Sequence, residues 1–273
     1  MKIAYQGEPG AYSEAAARRF SADAQAMPCE SFEDVFTAVS SGRTTHGILP
    51  IENSIGGSIH RNFDLLVDHE LPVVSEVLLQ VSHNLLAFPG TKMEDIRKVY
   101  SHPQGLAQCE AFLSSLKGVE IVATYDTAGS AKMIRDKQLK DAAAIASARA
   151  AEVFGLESLA AGIQDFKENI TRFIVVSKTP ADPQIADKMM IVFTLPNTPG
   201  ALFKALSVFA LRDIDLTKLE SRPVRGRAFE YLFYADIAMP DQNVACARAL
   251  VHLAEFATSL RTLGSYASWK EKN

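Results

Sequence analysis

The sequence has few of the residues that mark covalent cross-links or metal sites. Its 273 residues include three cysteines, Cys29, Cys109 and Cys246, which are odd in number and lie far apart. This spacing argues against a disulfide framework and against a paired-cysteine zinc site. The six histidines show no HxxxH or comparable ligand spacing. We therefore expect reduced, mostly buried thiols and no metal.

Long apolar runs and clusters of one charge sign are also absent from the sequence. No apolar segment reaches the ~18 residues that a membrane span needs. The first seven residues, with one lysine and a short apolar run, do not fit a signal or transit peptide. The 28 basic and 32 acidic residues give a net charge of −4 without any Lys/Arg run. These absences predict a cytoplasmic protein that binds a small molecule rather than nucleic acid or a membrane.

Short strand-like and helix-like segments alternate from residue 2 to residue 177, the pattern of an α/β fold. The predicted strands are 3–5, 47–50, 73–81, 85–88, 99–101, 121–124, 143–146 and 173–176. The predicted helices are 13–20, 32–39, 58–67, 103–116, 128–135 and 148–154. The fourth helix can begin with a capping box from Ser101 to Gln104 or with His102 as its cap and Pro103 as its first residue. Gly155 suits the left-handed position that ends a helix.

A linker separates this region from a second domain. Residues 178–187, KTPADPQIAD, contain two prolines and no apolar periodicity. Beyond them the pattern predicts strand 189–195, helix 199–211, strands 215–222 and 228–237, helix 242–260 and strand 262–267, a ferredoxin-like βαββαβ unit. Leu202, Leu206 and Phe209 fall on one predicted apolar helix face, and alternate residues from Phe229 to Ile237 on one face of a strand.

Several strand-to-helix turns carry glycine and small polar residues. GEPGAYSEAAA, residues 7–17, directs backbone N–H groups above a sheet edge, and an ordinary turn and a ligand loop are equally compatible with it. LPIENSIGGSIHRN repeats the arrangement around Asn53, and SHPQGLAQ places Gln104 and Gln108 on one helix face. DTAGSAKM, residues 126–133, is another Thr/Gly/Ser helix start.

The stretch ENITRFIVV brings polar residues to the start of a core strand. Asn169, Thr171 and Arg172 precede an apolar, β-branched run. In a two-lobed α/β protein a late strand often returns to the first lobe, which would place Thr171 at the cleft between the lobes. No GxSxG elbow and no spaced pair of catalytic carboxylates is present, so covalent catalysis has no support.

Taken in order, these stretches resemble one known family. GEPGAYSEAAA, PIENSIGGSIHRN, SHPQGLAQCEAF, DTAGSA, NITRFIVV, PGALFKAL and LESRPVRGRAFEYLFYADI resemble the prephenate dehydratases with a C-terminal ACT regulatory domain. The resemblance implies a catalytic domain at residues 1–178, with two α/β lobes like a type II periplasmic binding protein, a linker at 179–187 and an ACT domain at 188–273. It also implies a lyase that needs no cofactor and converts prephenate to phenylpyruvate, water and carbon dioxide.

The resemblance assigns roles to named residues. The catalytic set would be Thr171, Asn53, Ser101, Gln108 and Arg172, with Arg172 holding the pyruvyl carboxylate. Substrate would also contact Ser13, Ser54, Gly57, Thr127 and Ala128. Phenylalanine, the expected effector, would bind at Asn197, Gly200, Ala201, Leu202, Glu220, Ser221, Arg222 and Pro223. A homodimer or homotetramer is implied as well.

Three alternatives remain beside this interpretation. Arogenate dehydratase performs the same chemistry on a substrate with an amine in place of the ketone. We expect the distinction in the loop from Thr127 to Ala131, where Ala128 is small. A non-catalytic amino-acid sensor would share the fold, but the intact Thr171, Asn53 and Gln108 argue against it. A secreted solute-binding protein is disfavoured because no signal peptide is apparent.

Overall fold

The computed structural model describes residues 1–224, 226–227, 229–239 and 244–270. Its helices are α1 Tyr12–Phe20, α2 Phe32–Ser40, α3 His60–His69, α4 Pro103–Ala107, α5 Glu110–Ser115, α6 Thr127–Asp136, α7 Ala148–Phe154, α8 Ala201–Ala210 and α9 Val244–Phe256, with 3-10 turns at Met93–Asp95 and Pro183–Ile185. Its strands are β1 Lys2–Gln6, β2 Gln25–Cys29, β3 His46–Asn53, β4 Gly57–Ser58, β5 Val73–Gln80, β6 Asn84–Ala87, β7 Lys98–Ser101, β8 Glu120–Ala123, β9 Ala142–Ala146, β10 Glu157–Ala161, β11 Ile170–Ser177, β12 Lys188–Thr194, β13 Leu216–Pro223, β14 Tyr231–Ala238 and β15 Ser259–Tyr266.

Two sheets carry the N-terminal part of the chain. The first has the order β2-β1-β3-β11-β5, with β4 paired to β3, and β1 runs parallel to β2 and β3. The second has the order β10-β6-β9-β7-β8, in which β7 runs parallel to β8 and β9. The late strand β11 lies beside β3. This confirms the expected α/β fold, and it confirms the return of the late strand to the first sheet.

The C-terminal sheet has the order β13-β14-β12-β15, and its paired strands are antiparallel. Helices α8 and α9 pack on it around a core that includes Ile191, Phe193, Phe209 and Leu253. This is the predicted βαββαβ unit. The predicted helix 242–260 begins within residues 240–243, which lie outside the described residues, and the structure describes it from Val244.

By contacts the chain forms two compact units. The first comprises Met1–Asn62 and Val77–Phe173, and the second Phe63–Glu76 and Ile174–Asn273. Most of α3 therefore belongs with the C-terminal sheet, because Phe63 packs its ring 4.9 Å from that of Tyr234 and accepts a hydrogen bond from the Tyr234 hydroxyl at 3.2 Å. The boundaries at residues 178 and 188 stay a prediction.

Local structure differs from expectation where periodicity is weak. Strands β2, β4 and β10 were not predicted; β2 contains Pro28, which an edge strand tolerates because it lies at the end of the sheet. The helix expected at 103–116 is split, since the backbone of Cys109 leaves the helical region at φ −124° and ψ 27°. The cap of α4 is His102, whose Nδ1 accepts from the Gln104 N–H.

Two predicted apolar faces in the C-terminal unit need correction. Helix α8 buries Ala205, Val208 and Phe209, whereas Leu202 is exposed. Phe229 precedes β14 and takes a positive φ of 62°, so the predicted alternation begins only later in the strand. The buried face of α8 is the one that packs on the sheet, and the spacing of leucines alone does not show which face that is.

Helices long and apolar enough to cross a membrane do not occur in the described ranges. No group of three or more His, Cys, Asp or Glu side chains in those ranges is arranged to hold a metal ion. The three cysteines are free thiols, with Cys109 and Cys246 buried.

Candidate active site

A cavity of about 430 Å³ lies within the first unit. Its walls come mainly from the turns that follow β1, β3, β7 and β8 and from the start of β11. The carboxyl ends of parallel strands are where α/β sheets bind ligands, because loops and helix starts converge there. The lining residues are Gln6, Ala11, Tyr12, Ser13, Phe32, Pro50, Asn53, Ile59, Val81, His83, His102, Gln104, Gly105, Gln108, Tyr125, Asp126, Thr127, Thr171 and Phe173.

The orientation of the Asn53 amide is fixed by backbone donors. Its Oδ1 accepts from the N–H groups of Ile55 at 3.0 Å and Gly56 at 2.7 Å. A backbone N–H can only donate, so the other end of the amide must be the NH₂ group. That Nδ2 donates to Thr171 Oγ1 at 2.9 Å and to Asn169 Oδ1 at 2.7 Å. The turn after β3 thereby fixes which atom of Asn53 faces Thr171.

This contact decides what the Thr171 hydroxyl can do. Thr171 lines the cavity and is buried, with 8% of its surface exposed. Because Oγ1 accepts a hydrogen bond from Asn53, the hydroxyl proton remains available for a second partner. The structure thus presents Thr171 as a hydrogen-bond donor at the cavity wall.

Gln108 joins the same network from the second sheet's side of the cavity. Its Oε1 accepts from Asn169 Nδ2 at 2.9 Å and from His83 Nε2 at 2.8 Å. The Nδ1 atom of His83 in turn lies 3.0 Å from the Tyr12 hydroxyl. Burial lowers the pKa of His83, which favours its neutral form. Asn53, Thr171 and Gln108, separated widely along the chain, therefore meet in one hydrogen-bonded network.

Residues 3–181 match the family model described as prephenate dehydratase. The chain belongs to the prephenate dehydratase family. Residues 189–250 match the ACT domain model.

Relatives and solved structures extend the comparison. Arogenate dehydratase 2 from Petunia hybrida is 49% identical over 98% of this chain and 72% of its own length. A prephenate dehydratase from Arthrobacter aurescens, solved in complex with L-Phe, has a TM-score of 0.89 and 31% identity, covering 98% of this chain and 90% of that one. A structure described as GqqA, a novel type of quorum quenching acylase, has the same TM-score of 0.89 with 36% identity and covers 98% of each chain.

Two residues of the catalytic set expected for a prephenate dehydratase lie off the cavity. Ser101 is completely buried, and its hydroxyl donates to the carbonyl of Ile145 at 2.7 Å. Arg172 follows Thr171 in β11, while Thr171 and Phe173 both line the cavity. Successive side chains of a strand point to opposite faces, so Arg172 faces away, and its predicted contact with the substrate carboxylate needs correction.

The expected substrate contacts divide in the same way. Ser13 and Thr127 line the cavity. Ser54 instead braces the turn, since its hydroxyl donates to the Glu168 carbonyl at 3.0 Å and accepts from the Ile170 N–H at 2.9 Å. Gly57, with a φ of +75°, lies in β4, the short strand paired with β3. Ala128 is fully buried in α6.

The cavity has an unusual charge distribution for a site that is to hold carboxylates. Its described lining contains Asp126 and no lysine or arginine. His102 caps α4 by accepting at Nδ1, which leaves Nε2 as its donor in the neutral ring. Neutral amides and hydroxyls, together with imidazole rings, therefore make up most of the polar wall.

Glycine provides space on one side of this wall. A Cβ atom on Gly105 would lie 2.9 Å from Ser101 Oγ and 3.3 Å from Thr127 Cγ2. A Cβ atom on Gly56 would collide with the Gln104 side-chain amide. Both positions therefore let neighbouring residues approach the cavity closely.

The expected phenylalanine site falls on two faces of the C-terminal unit. Gly200 has a φ of +77° and caps α8, and its neighbours Asn197 and Leu202 are exposed while Ala201 is half-buried. On β13, exposure alternates, so that Ser221 and Pro223 are exposed and Glu220 and Arg222 lie on the other face. Arg222 there binds Asp64 of α3 at 3.2 Å. Four consecutive residues of one strand cannot share a face.

Sequence reasoning did not assign Tyr12, His83 or Asn169 to the site. Each is buried or partly buried. Asn169 links Asn53 to Gln108, His83 contacts Gln108, and Tyr12 contacts His83. Asn169 had a visible signal, because it is a polar residue at the entry of a core strand. His83 lies between the apolar strands β5 and β6, which is also a position where a polar residue needs a partner.

Proposed function

We propose that the protein is a lyase that removes water and carbon dioxide from prephenate to form phenylpyruvate. The observation that carries the proposal is the hydrogen bond from Asn53 Nδ2 to Thr171 Oγ1, which leaves the hydroxyl proton for the cavity. Departure of hydroxide from a ring carbon requires such a donor near the leaving oxygen.

In this reaction the ring C–O bond and the C–C bond to the departing carboxylate both break. The electron pair of the C–C bond enters the ring, which becomes aromatic, and carbon dioxide and water leave. One proton is taken up overall, and solvent supplies it. Thr171 supports the departing oxygen by donating a hydrogen bond, while Asn53 holds Thr171 in position.

The neutral wall suits this chemistry. A cation paired with the departing carboxylate would stabilise the substrate more than the transition state, because the negative charge moves into the ring as the bond breaks. The cavity offers Gln104, Ser13 and Thr127 instead, and these hydrogen-bond without trapping the charge.

Arogenate is a second candidate substrate, and Asp126 is the observation that favours it. Arogenate carries an ammonium group where prephenate carries a ketone, and Asp126 contributes a carboxylate to the cavity lining. One Asp126 oxygen accepts the Glu8 N–H at 3.3 Å, so the other is available to an ammonium group. Curated relatives such as the Petunia hybrida protein are named arogenate dehydratases. The product would then be phenylalanine.

We also propose that the ACT domain binds phenylalanine and lowers turnover. Support comes from the prephenate dehydratase from Arthrobacter aurescens, which was solved with L-Phe. In this chain Gly200 opens α8, where free N–H groups suit a carboxylate. Edge strand β13 carries exposed Leu219 and Ser221 and offers a surface for a second copy, consistent with a homodimer or homotetramer.

The test is turnover by the purified protein. Phenylpyruvate is followed by absorbance with prephenate as substrate, and phenylalanine by chromatography with arogenate. Turnover of neither substrate would contradict the proposal. Because one solved relative is described as a quorum quenching acylase, hydrolysis of N-acylated compounds is measured in parallel. We expect none, because Thr171 is bonded to an amide instead of to a histidine base that would activate it as a nucleophile.

A further inference from the structure

His83 occupies a special place in the hydrogen-bonded network of the cavity. It is 2% exposed, lines the cavity, and uses both ring nitrogens. Its Nε2 contacts Gln108, and its Nδ1 contacts Tyr12. A buried histidine that only fills space does not need a specific partner at each ring nitrogen. In His83 both nitrogens have a partner, and the partners determine which nitrogen donates and which accepts.

The donor or acceptor role of each side chain in the network is set by its neighbour, starting at the turn after β3. Backbone N–H groups require Asn53 to present its NH₂ group to Asn169, so the facing atom of Asn169 is Oδ1. Asn169 must then present its own NH₂ group to Gln108, so the facing atom of Gln108 is Oε1. An amide oxygen only accepts, and His83 must therefore carry its proton on Nε2.

The contact between His83 Nδ1 and the Tyr12 hydroxyl is compatible with this tautomer. With Nε2 protonated, Nδ1 of a neutral imidazole is an acceptor, and the Tyr12 hydroxyl can donate to it at 3.0 Å. That hydroxyl also lies 2.7 Å from the carbonyl of Ser82, so it is shared between two acceptors. The lowered pKa of His83, caused by burial, agrees with a neutral ring. Tyr12 and His83 also meet edge to face, with ring centroids 5.6 Å apart.

We propose that His83 is a positioning residue of the reaction: its Nε2–H and the Asn169 NH₂ group together hold the Gln108 oxygen, which leaves the Gln108 NH₂ group as the donor that this side chain offers to the cavity. The proposal rests on the dehydratase function proposed above. Without the Nε2–H donor, the Gln108 amide loses one of the two donors to its oxygen and can rotate. Its NH₂ group then loses its fixed direction at the cavity wall. Asn53 and Thr171 keep theirs, because backbone N–H groups hold Asn53.

Two substitutions at His83 separate positioning from packing. The side-chain nitrogen of glutamine reaches about as far as Nε2 of histidine, whereas that of asparagine reaches only about as far as Nδ1. His83→Gln can keep the contact with Gln108, and His83→Asn can keep only the contact with Tyr12. We expect His83→Asn to lower kcat by on the order of 10- to 100-fold, the loss that follows from misplacing a reacting group. His83→Gln should stay within a few-fold of wild type, and KM should change little in both.

Equal losses in the two variants would overturn the proposal, as would a loss that appears only in KM. Melting temperatures of both variants are measured alongside, so that unfolding is recognised. His46→Asn is the matched control, because His46 is also in the first unit and contacts Thr45 at the surface. It should leave kcat unchanged.

A double variant tests whether His83 acts through Gln108. If it does, His83→Asn combined with Gln108→Ala should lose no more than Gln108→Ala alone, because the group being positioned is already gone. Losses that multiply would show that His83 acts independently of Gln108 and would contradict the proposal.

A spectroscopic measurement checks the tautomer without any turnover. In ¹⁵N-labelled protein near neutral pH, the His83 ring should show a protonated Nε2 and an unprotonated Nδ1. A proton on Nδ1 alone would overturn the proposal even if the enzyme is active. If wild-type protein turns over neither prephenate nor arogenate, the proposed function fails, while the tautomer result still stands or falls separately.

Discussion

The guanidinium group of Arg222 lies 3.2 Å from the carboxylate of Asp64, and the two residues belong to β13 and α3. Both side chains are largely shielded, with 22% and 14% of their side-chain surfaces exposed. Arg222 comes from the ESRP motif that was expected to bind phenylalanine. Helix α3 begins at His60, a few residues after the Asn53 turn. Helix α3 therefore carries Asp64, the partner of Arg222, and is continuous along the chain with the turn of Asn53, which lines the cavity.

Removing this ion pair should weaken regulation more than catalysis. In Asp64→Asn, Arg222 loses its charged partner, and a change at β13 is transmitted less well to α3. With couplings of about 1–3 kcal/mol typical of allostery, the phenylalanine concentration for half-inhibition should rise at least ~5-fold while kcat stays within a few-fold. Glu230→Gln, which removes the exposed pair of Arg227 and Glu230, is the matched control. Unchanged inhibition in Asp64→Asn would rule out this route.

Thr171→Val tests the donor in the cavity. Valine has a similar shape but no hydroxyl, so the departing oxygen loses its hydrogen bond. We expect kcat to fall by ~10² or more, the usual contribution of such assistance. Thr171→Ser should retain much of the activity, because its hydroxyl can still accept from Asn53. Circular dichroism should be unchanged in both, and a valine variant within a few-fold of wild type would remove Thr171 from the mechanism.

Asn53→Asp tests the orientation of the network with almost no change in shape. A carboxylate cannot donate to Thr171 Oγ1, and its second oxygen would face Asn169 Oδ1, an acceptor. Turnover should therefore drop at least as far as in Asn53→Ala. Gln108→Ala should also weaken turnover. Calorimetry should find phenylalanine binding intact in all three, whereas joint loss of turnover and phenylalanine binding would indicate misfolding.

Asp126→Asn tests substrate choice. Loss of the carboxylate should lower kcat/KM for arogenate and leave that for prephenate unchanged or raised, since only arogenate carries the ammonium group. The ratio of the two kcat/KM values is the measurement, and an unchanged ratio would exclude Asp126 as the determinant. Ala128→Val, at the other candidate residue near Asp126, is a poorer probe. Ala128 is fully buried, and overpacking there should cost about 1–3 kcal/mol of stability.

Gly264→Ala tests the packing of the second unit. An added Cβ atom would collide with the carbonyl group of Val73 at the start of β5, and backbone cannot move aside as a flexible side chain can. We expect the melting temperature to fall, through a loss of about 1–3 kcal/mol in the free energy of unfolding. A melting temperature equal to that of wild type would show that β15 and β5 can separate there without cost.

Much of the fold could be predicted from local patterns. The apolar runs located most strands, and glycine, proline and small polar residues located the helix starts, including the left-handed Gly155 at φ 60°. The βαββαβ order of the C-terminal unit followed from periodicity alone. Strands with proline or with little apolar character, such as β2, were missed because their stability comes from their neighbours in the sheet.

The sequence by itself indicated which residue types would meet at the cavity. The pattern places Asn53 after a buried strand, Gln108 on a helix face and Thr171 at the start of a core strand, and the family resemblance brings the three to one site. The sequence also argues against placing both Thr171 and Arg172 in the cavity, because adjacent residues of a strand face opposite ways. Only the tertiary structure decided which face of β11 is turned to the cavity, and that Asn53 would meet Thr171 across 118 residues of chain. Strand register and amide orientation depend on partners far away in sequence, so His83 and Asn169 enter the site only through the packing that joins them.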